Sequence, residues 1–84
     1  MNAGKKIGGP IANPIRGMID DPSCDGVIFE CKSADKAETT RYAAYMLKHR
    51  NDYEYKTTRR KNFLVVYRKG RDPFELRSPI RIKL

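Results

Sequence analysis

Alternation of apolar and polar positions begins at Gly26. Val27, Phe29 and Cys31 share one side of the chain, and Ile28, Glu30 and Lys32 share the other. Period two over this length predicts a strand with one buried face from Gly26 to Lys32. The period then changes. Ala37, Thr40, Ala44 and Leu47, flanked by Ala43, recur at helical spacing and predict a helix from Ala34 to Arg50. These small residues let a helix lie close to a sheet. Arg41, Tyr45 and Lys48 fall on a neighbouring, exposed face. Ser33 offers an N-cap, and Asp35 with Glu38 reads as a capping box with Asp as the cap. Lys48, His49 and Arg50 suit the negative end of the helix dipole, and Asn51-Asp52 ends the helix.

Tyr53 to Arg60 and Phe63 to Lys69 are rich in Tyr, Thr, Val and Phe, which fit a pleated surface. Lys61-Asn62 between them reads as a hairpin turn in which Asn tolerates positive φ. A two-residue loop pairs Arg60 with Phe63, Thr58 with Val65 and Lys56 with Tyr67. One face then carries Lys56, Thr58, Arg60, Phe63, Val65 and Tyr67, and Tyr53, Tyr55, Thr57, Leu64 and Val66 form the core face. A three-residue loop swaps the two sets, so membership of the exposed face stays open at this level.

The ends are less periodic. Residues 1–14 contain Gly and Pro with little pattern and read as a flexible N-terminal arm. Ile15 to Met18 reads as a short apolar turn, and Asp20-Asp21-Pro22-Ser23 is turn chemistry. Beyond Gly70, Pro73 and Pro79 break the chain, and Phe74 and Leu76 are expected to cover the edge of the core. Ile80, Ile82 and Leu84 alternate with Arg81 and Lys83, which predicts a short C-terminal strand. The expected fold is α+β, ordered β-α-β-β, with one helix on a small antiparallel or mixed sheet. Residues 15–84 form one small domain.

Charge adds a partner class. The net charge is +8 and the pI about 9.8. From Tyr53 onward there are ten basic residues against three acids, and before it eight against seven, so the second half carries nearly all the excess. Its densest part, Lys56 to Arg71, reads KTTRRKNFLVVYRKGR, with seven cations and no acid. Cations and rings on one hairpin suit a polyanion, with Lys and Arg on phosphates and rings on bases or sugars. The candidate nucleic-acid-binding residues are Lys56, Arg59, Arg60, Lys61, Tyr67, Arg68, Lys69 and Arg71, joined by Arg41, Tyr45 and Lys48 from the helix. Phe63 is an alternative stacking ring. A two-stranded ribbon can also enter a DNA major groove. The partner class is therefore DNA or RNA. The competing reading is an interaction module that binds an acidic surface of a host protein through exposed Tyr and Arg.

No enzymatic reading emerges. His49 has no Cys or Ser nearby in sequence, and Cys31 has no visible base. Asp20, Asp21 and Asp25 lack the spacing of a calcium loop and read as a solvated turn. One His and two Cys fall short of a zinc site, and Gly8-Gly9 lacks a phosphate-loop context. No cofactor or metal is expected, and neither is a membrane span. Cys24 and Cys31 are too few for a disulfide framework, so a reduced, cytoplasmic protein is expected, as a monomer or dimer.

Thr40 to Arg68 resembles small, basic, phage-encoded proteins of undefined function. Those proteins carry an Arg-Ala-x-Tyr type helix, a Thr-Arg strand and a strand ending in Val-x-Arg. The matching residues here are Arg41, Ala43, Ala44, Thr57, Thr58, Arg59, Val66 and Arg68. Lys61-Asn62 stands where such proteins often place a Gly pair. The resemblance implies a phage-like origin, a regulatory or host-takeover role and residence in the host cytoplasm. It supplies no active site.

Overall fold

The structure is a computed structural model and describes residues 9–84. The elements run α1 (Ala12–Asp20), β1 (Gly26–Glu30), α2 (Ala34–Asn51), β2 (Tyr55–Arg60), β3 (Phe63–Arg68) and β4 (Ile80–Lys83). The strands form one mixed sheet in the order β2-β3-β1-β4. β3 is antiparallel to both β1 and β2, and β4 runs parallel to β1. β1 and β2 therefore point the same way with β3 between them, and α2 makes the crossover. The domain is α+β as expected, with a second helix.

Alternation along the strands decides which face is buried. Val27, Phe29, Leu64, Val66 and Tyr55 point one way and form a single core with Ala37 and Ala44 of α2 and Ile15 and Met18 of α1. Both helices thus cover the same face. α2 fits there because Ala37, Thr40 and Ala44 keep its buried stripe thin, and the Tyr55 hydroxyl donates to the Ala44 carbonyl at 2.6 Å. Burial pushes the Tyr55 phenol up to about 12, with Tyr53 beside it adding to the shift.

Several expectations change. Ile15 to Met18 is not an isolated turn. It belongs to a nine-residue helix, which also takes Ala12 to Pro14 from the arm. Pro14 fits because the first turn has no intrahelical acceptor for its missing N–H. Of the rest of the arm, Pro10 and Ile11 form a turn leading into the helix, and residues 1–8 lie outside the described residues. Ser33, not Asp35, caps α2, accepting from the Lys36 N–H at 3.1 Å. Glu38 is drawn away to Arg41 and Arg59, so no capping box forms.

The hairpin loop has two residues, with Arg60 opposite Phe63, Thr58 opposite Val65 and Lys56 opposite Tyr67. Lys61 takes the positive φ of 56°, and Asn62 is used differently. Its side chain donates to the Cys31 carbonyl and its carbonyl accepts from the Cys31 N–H, both at 2.8 Å. Those two bonds fasten the hairpin tip to the end of β1.

Asp25 is another correction. It is 2 % exposed rather than solvated. Its carboxylate accepts from the Arg77 backbone N–H at 3.0 Å and from the Arg77 guanidinium at 3.2 Å, with Arg71 3.5 Å away. The Arg77 bonds, aided by Arg71, outweigh desolvation and hold the Asp25 carboxyl below the usual carboxylate range.

Candidate nucleic-acid interface

The face of the sheet opposite the helices carries Gly26, Ile28 and Glu30 from β1, Lys56, Thr58 and Arg60 from β2, Phe63, Val65 and Tyr67 from β3, and Arg81 and Lys83 from β4. Register aligns these residues in rows. Arg60, Phe63, Glu30 and Lys83 lie side by side at the hairpin end, and Thr58, Val65, Ile28 and Arg81 form the next row. The last row, Lys56, Tyr67 and Gly26, lies at the other end.

The two ends differ in what covers them. A Cβ on Gly26 would meet Leu76 Cδ1 at 2.8 Å, so Leu76 sits on this face and closes the Gly26 end. Phe74 places its ring 4.7 Å from the Arg60 guanidinium carbon, in a cation–π contact, and remains 61 % exposed. Phe74 and Leu76 therefore pack on the face away from the core, contrary to expectation. The tether is Asp25, which holds Arg71 and Arg77 on either side of them. What stays open is the hairpin end, where the Phe63 ring is 38 % exposed. A shallow cavity of about 130 Å³ lies there, lined by Ile28, Glu30, Phe63, Arg81, Ile82 and Lys83.

The structure separates the residues expected from sequence. Lys56, Arg60 and Tyr67 share the open face, with Lys61 at its tip. Lys56 also shares a depression with Lys69, Lys48 and Glu54 at the outer edge of β2. Arg59 points to the helix side, where it donates to Glu38 at 2.8 Å and to the Lys61 carbonyl at 2.7 Å. Arg41 joins it through Glu38, also at 2.8 Å, and these bonds, Arg41's first, hold the Glu38 carboxyl low.

Arg68 reaches the loop after α1, donating to the carbonyls of Met18, Asp21 and Cys24. A guanidinium suits this task because carbonyls at the end of α1 lack partners within the helix and keep room for a second donor beside a negative dipole end. Arg71 is engaged with Asp25. Tyr45 stands on the outer surface of α2 against His49, at a ring separation of 4.3 Å, near exposed Tyr42. Arg59, Arg68, Arg71, Arg41 and Tyr45 thus lie off the open face, because alternation and local acids or carbonyls draw them elsewhere.

Sequence reasoning left Glu30, Arg81 and Lys83 out of the site. The alternation of 26–32 held the signal for Glu30 and that of 80–84 the signal for Arg81 and Lys83, but nothing local states that β4 pairs with β1. The hairpin is also not a free ribbon, since β3 is paired on both sides. Among the described residues, no group of three or more His, Cys, Asp or Glu side chains could hold a metal. No helix there is long and apolar enough to cross a membrane. No family model, curated protein or solved structure matches the chain.

Proposed function

We propose that the chain is a non-catalytic nucleic-acid-binding protein that takes single-stranded DNA or RNA on the open face of its sheet. The observation that carries this is the setting of Phe63: an exposed ring at the hairpin end, in register with Arg60 on one side and with Glu30 and Lys83 on the other. Cations there neutralise phosphates and release counterions, and the ring offers a face to an unstacked base. A four-stranded platform suits splayed bases better than groove entry, which needs a slender element. Such a protein acts by occupancy, in keeping with a regulatory role in a phage-like, cytoplasmic setting.

Fluorescence anisotropy with a labelled single-stranded oligonucleotide tests the proposal. Log K should fall linearly with log salt, by about 0.7 for each phosphate neutralised. Phe63→Ala should cost about 1–3 kcal/mol of binding, the worth of one stacked base. Arg60→Ala should weaken binding to all sequences and flatten the salt slope. Absence of binding in low salt overturns the proposal.

A second reading rests on α2, where Tyr42 is 66 % and Tyr45 51 % exposed beside Arg41. Tyr and Arg are frequent interface anchors, so this surface fits an acidic protein partner. Changing both tyrosines to Ala should abolish such a contact and leave oligonucleotide affinity unchanged.

A further inference from the structure

Among the described residues, Glu30 is the one acid that the four strands place on the open face. It is half-buried, and its carboxylate makes no hydrogen bond or ion pair with the described residues. Its row neighbours are Phe63 and Lys83, with Arg81 diagonal to it across β1 and β4. A negative charge here weakens attraction for every phosphate, so on a pure electrostatic surface it is a liability. It becomes useful if it discriminates among ligands, since specificity is often built from a group that penalises the wrong partner.

The cavity of about 130 Å³ beside it can receive part of a nucleobase. Directly paired residues place their Cβ atoms about 5 Å apart, so a base lying against the Phe63 ring brings one edge to the Glu30 carboxylate. A carboxylate has two acceptor oxygens and no donor. Guanine presents two adjacent donors, N1–H and N2–H₂, on its Watson–Crick edge. Adenine and cytosine each set a ring-nitrogen acceptor beside one amino group. Uracil and thymine flank a single N–H with two carbonyl oxygens. Only guanine meets both carboxylate oxygens without an acceptor facing them.

We propose that this cavity is a guanine-reading subsite, in which the base stacks on Phe63 and Glu30 accepts from guanine N1–H and N2–H₂. Lys83, on the far side of Glu30, is positioned to donate to guanine O6. Selection acts on unpaired guanine alone, because the same edge is occupied in a duplex. The inference rests on the reading of the open face as a nucleic-acid surface, and its test separates the two.

Four labelled pyrimidine-rich oligonucleotides, identical except for a single central G, A, C or U (T in DNA), are titrated by anisotropy in ribo and deoxy forms. The wild-type protein should bind the G oligonucleotide about tenfold more tightly than the others. Glu30→Gln should erase that preference and leave binding of the other three unchanged or tighter, because a negative charge has gone. Glu30→Ala should do the same, and thermal unfolding checks that both variants fold. A preference confined to ribo or deoxy forms identifies the sugar and supports the subsite. Equal wild-type affinity for all four overturns the subsite and leaves the nucleic-acid face standing. An equal loss for all four in Glu30→Gln also overturns it, marking Glu30 as structural. Failure of every oligonucleotide to bind in low salt overturns both readings.

Discussion

Asp25 shows how one side chain shapes the surface used by others. Its carboxylate takes the Arg77 backbone and guanidinium, its backbone N–H bonds the Arg77 carbonyl, and Arg71 completes the set. The folded carboxyl sits below its free value of 3.8. Its stabilisation is therefore complete above the unfolded pKa and is lost as pH falls through the folded one. Asp25→Asn should lower the urea midpoint near neutral pH and reduce the acid sensitivity of stability below about pH 4. Tyr55 has the opposite sign. Its pKa rises from 10 to about 12, so its contribution is full below pH 10 and is lost as pH climbs towards 12. Tyr55→Phe should cost about 1 kcal/mol at neutral pH through the lost bond to Ala44, and should blunt the alkaline decline measured by circular dichroism. Neither role was legible in the sequence. Asp25 reads as one more turn acid until the chain returns more than fifty residues later with Arg77, and nothing around Tyr55 announces the Ala44 carbonyl.

Elements were legible where local pattern suffices. β1, α2, β2 and β3 follow from periodicity, and the register follows once the loop is known to hold two residues. α1 escaped because Gly and Pro surround it and its fully buried stripe is short, Ile15 and Met18 with Ile11 and Ile19 packed at its ends, and it is closed by Arg68 from a distant strand. The sequence could not state that β4 pairs with β1 or that Leu76 crosses to the open face, since both are long-range choices. Gly26 records that crossing. A Cβ there would meet the Val66 carbonyl at 2.6 Å and Tyr67 Cα at 3.2 Å as well as Leu76. Gly26→Ala should cost about 1–3 kcal/mol in denaturant unfolding, as backbone must move. At the hairpin, Lys61 holds a positive φ that Gly adopts freely. Lys61→Gly should raise stability by about 0.5–1 kcal/mol in the same assay, with the Arg59 bond to the residue-61 carbonyl kept.

At the scale of the molecule, charge and topology act together. Both helices cover one face, the segment with Phe74 and Leu76 covers only part of the other, and four strands bring basic and aromatic positions from distant parts of the chain into rows. Basic residues that meet a local acid or carbonyl, as Arg59, Arg68 and Arg71 do, serve the fold. Those that meet none stay exposed beside Phe63: Arg81, Lys83, and Arg60 with only the Phe74 ring against it. The most direct test is a ¹⁵N NMR titration of the protein with a single-stranded oligonucleotide in low salt. Amide shifts should concentrate at Glu30, Arg60, Phe63, Arg81 and Lys83, with little change along α2. Shifts centred on Tyr42 and Tyr45, or no shifts at all, contradict the account.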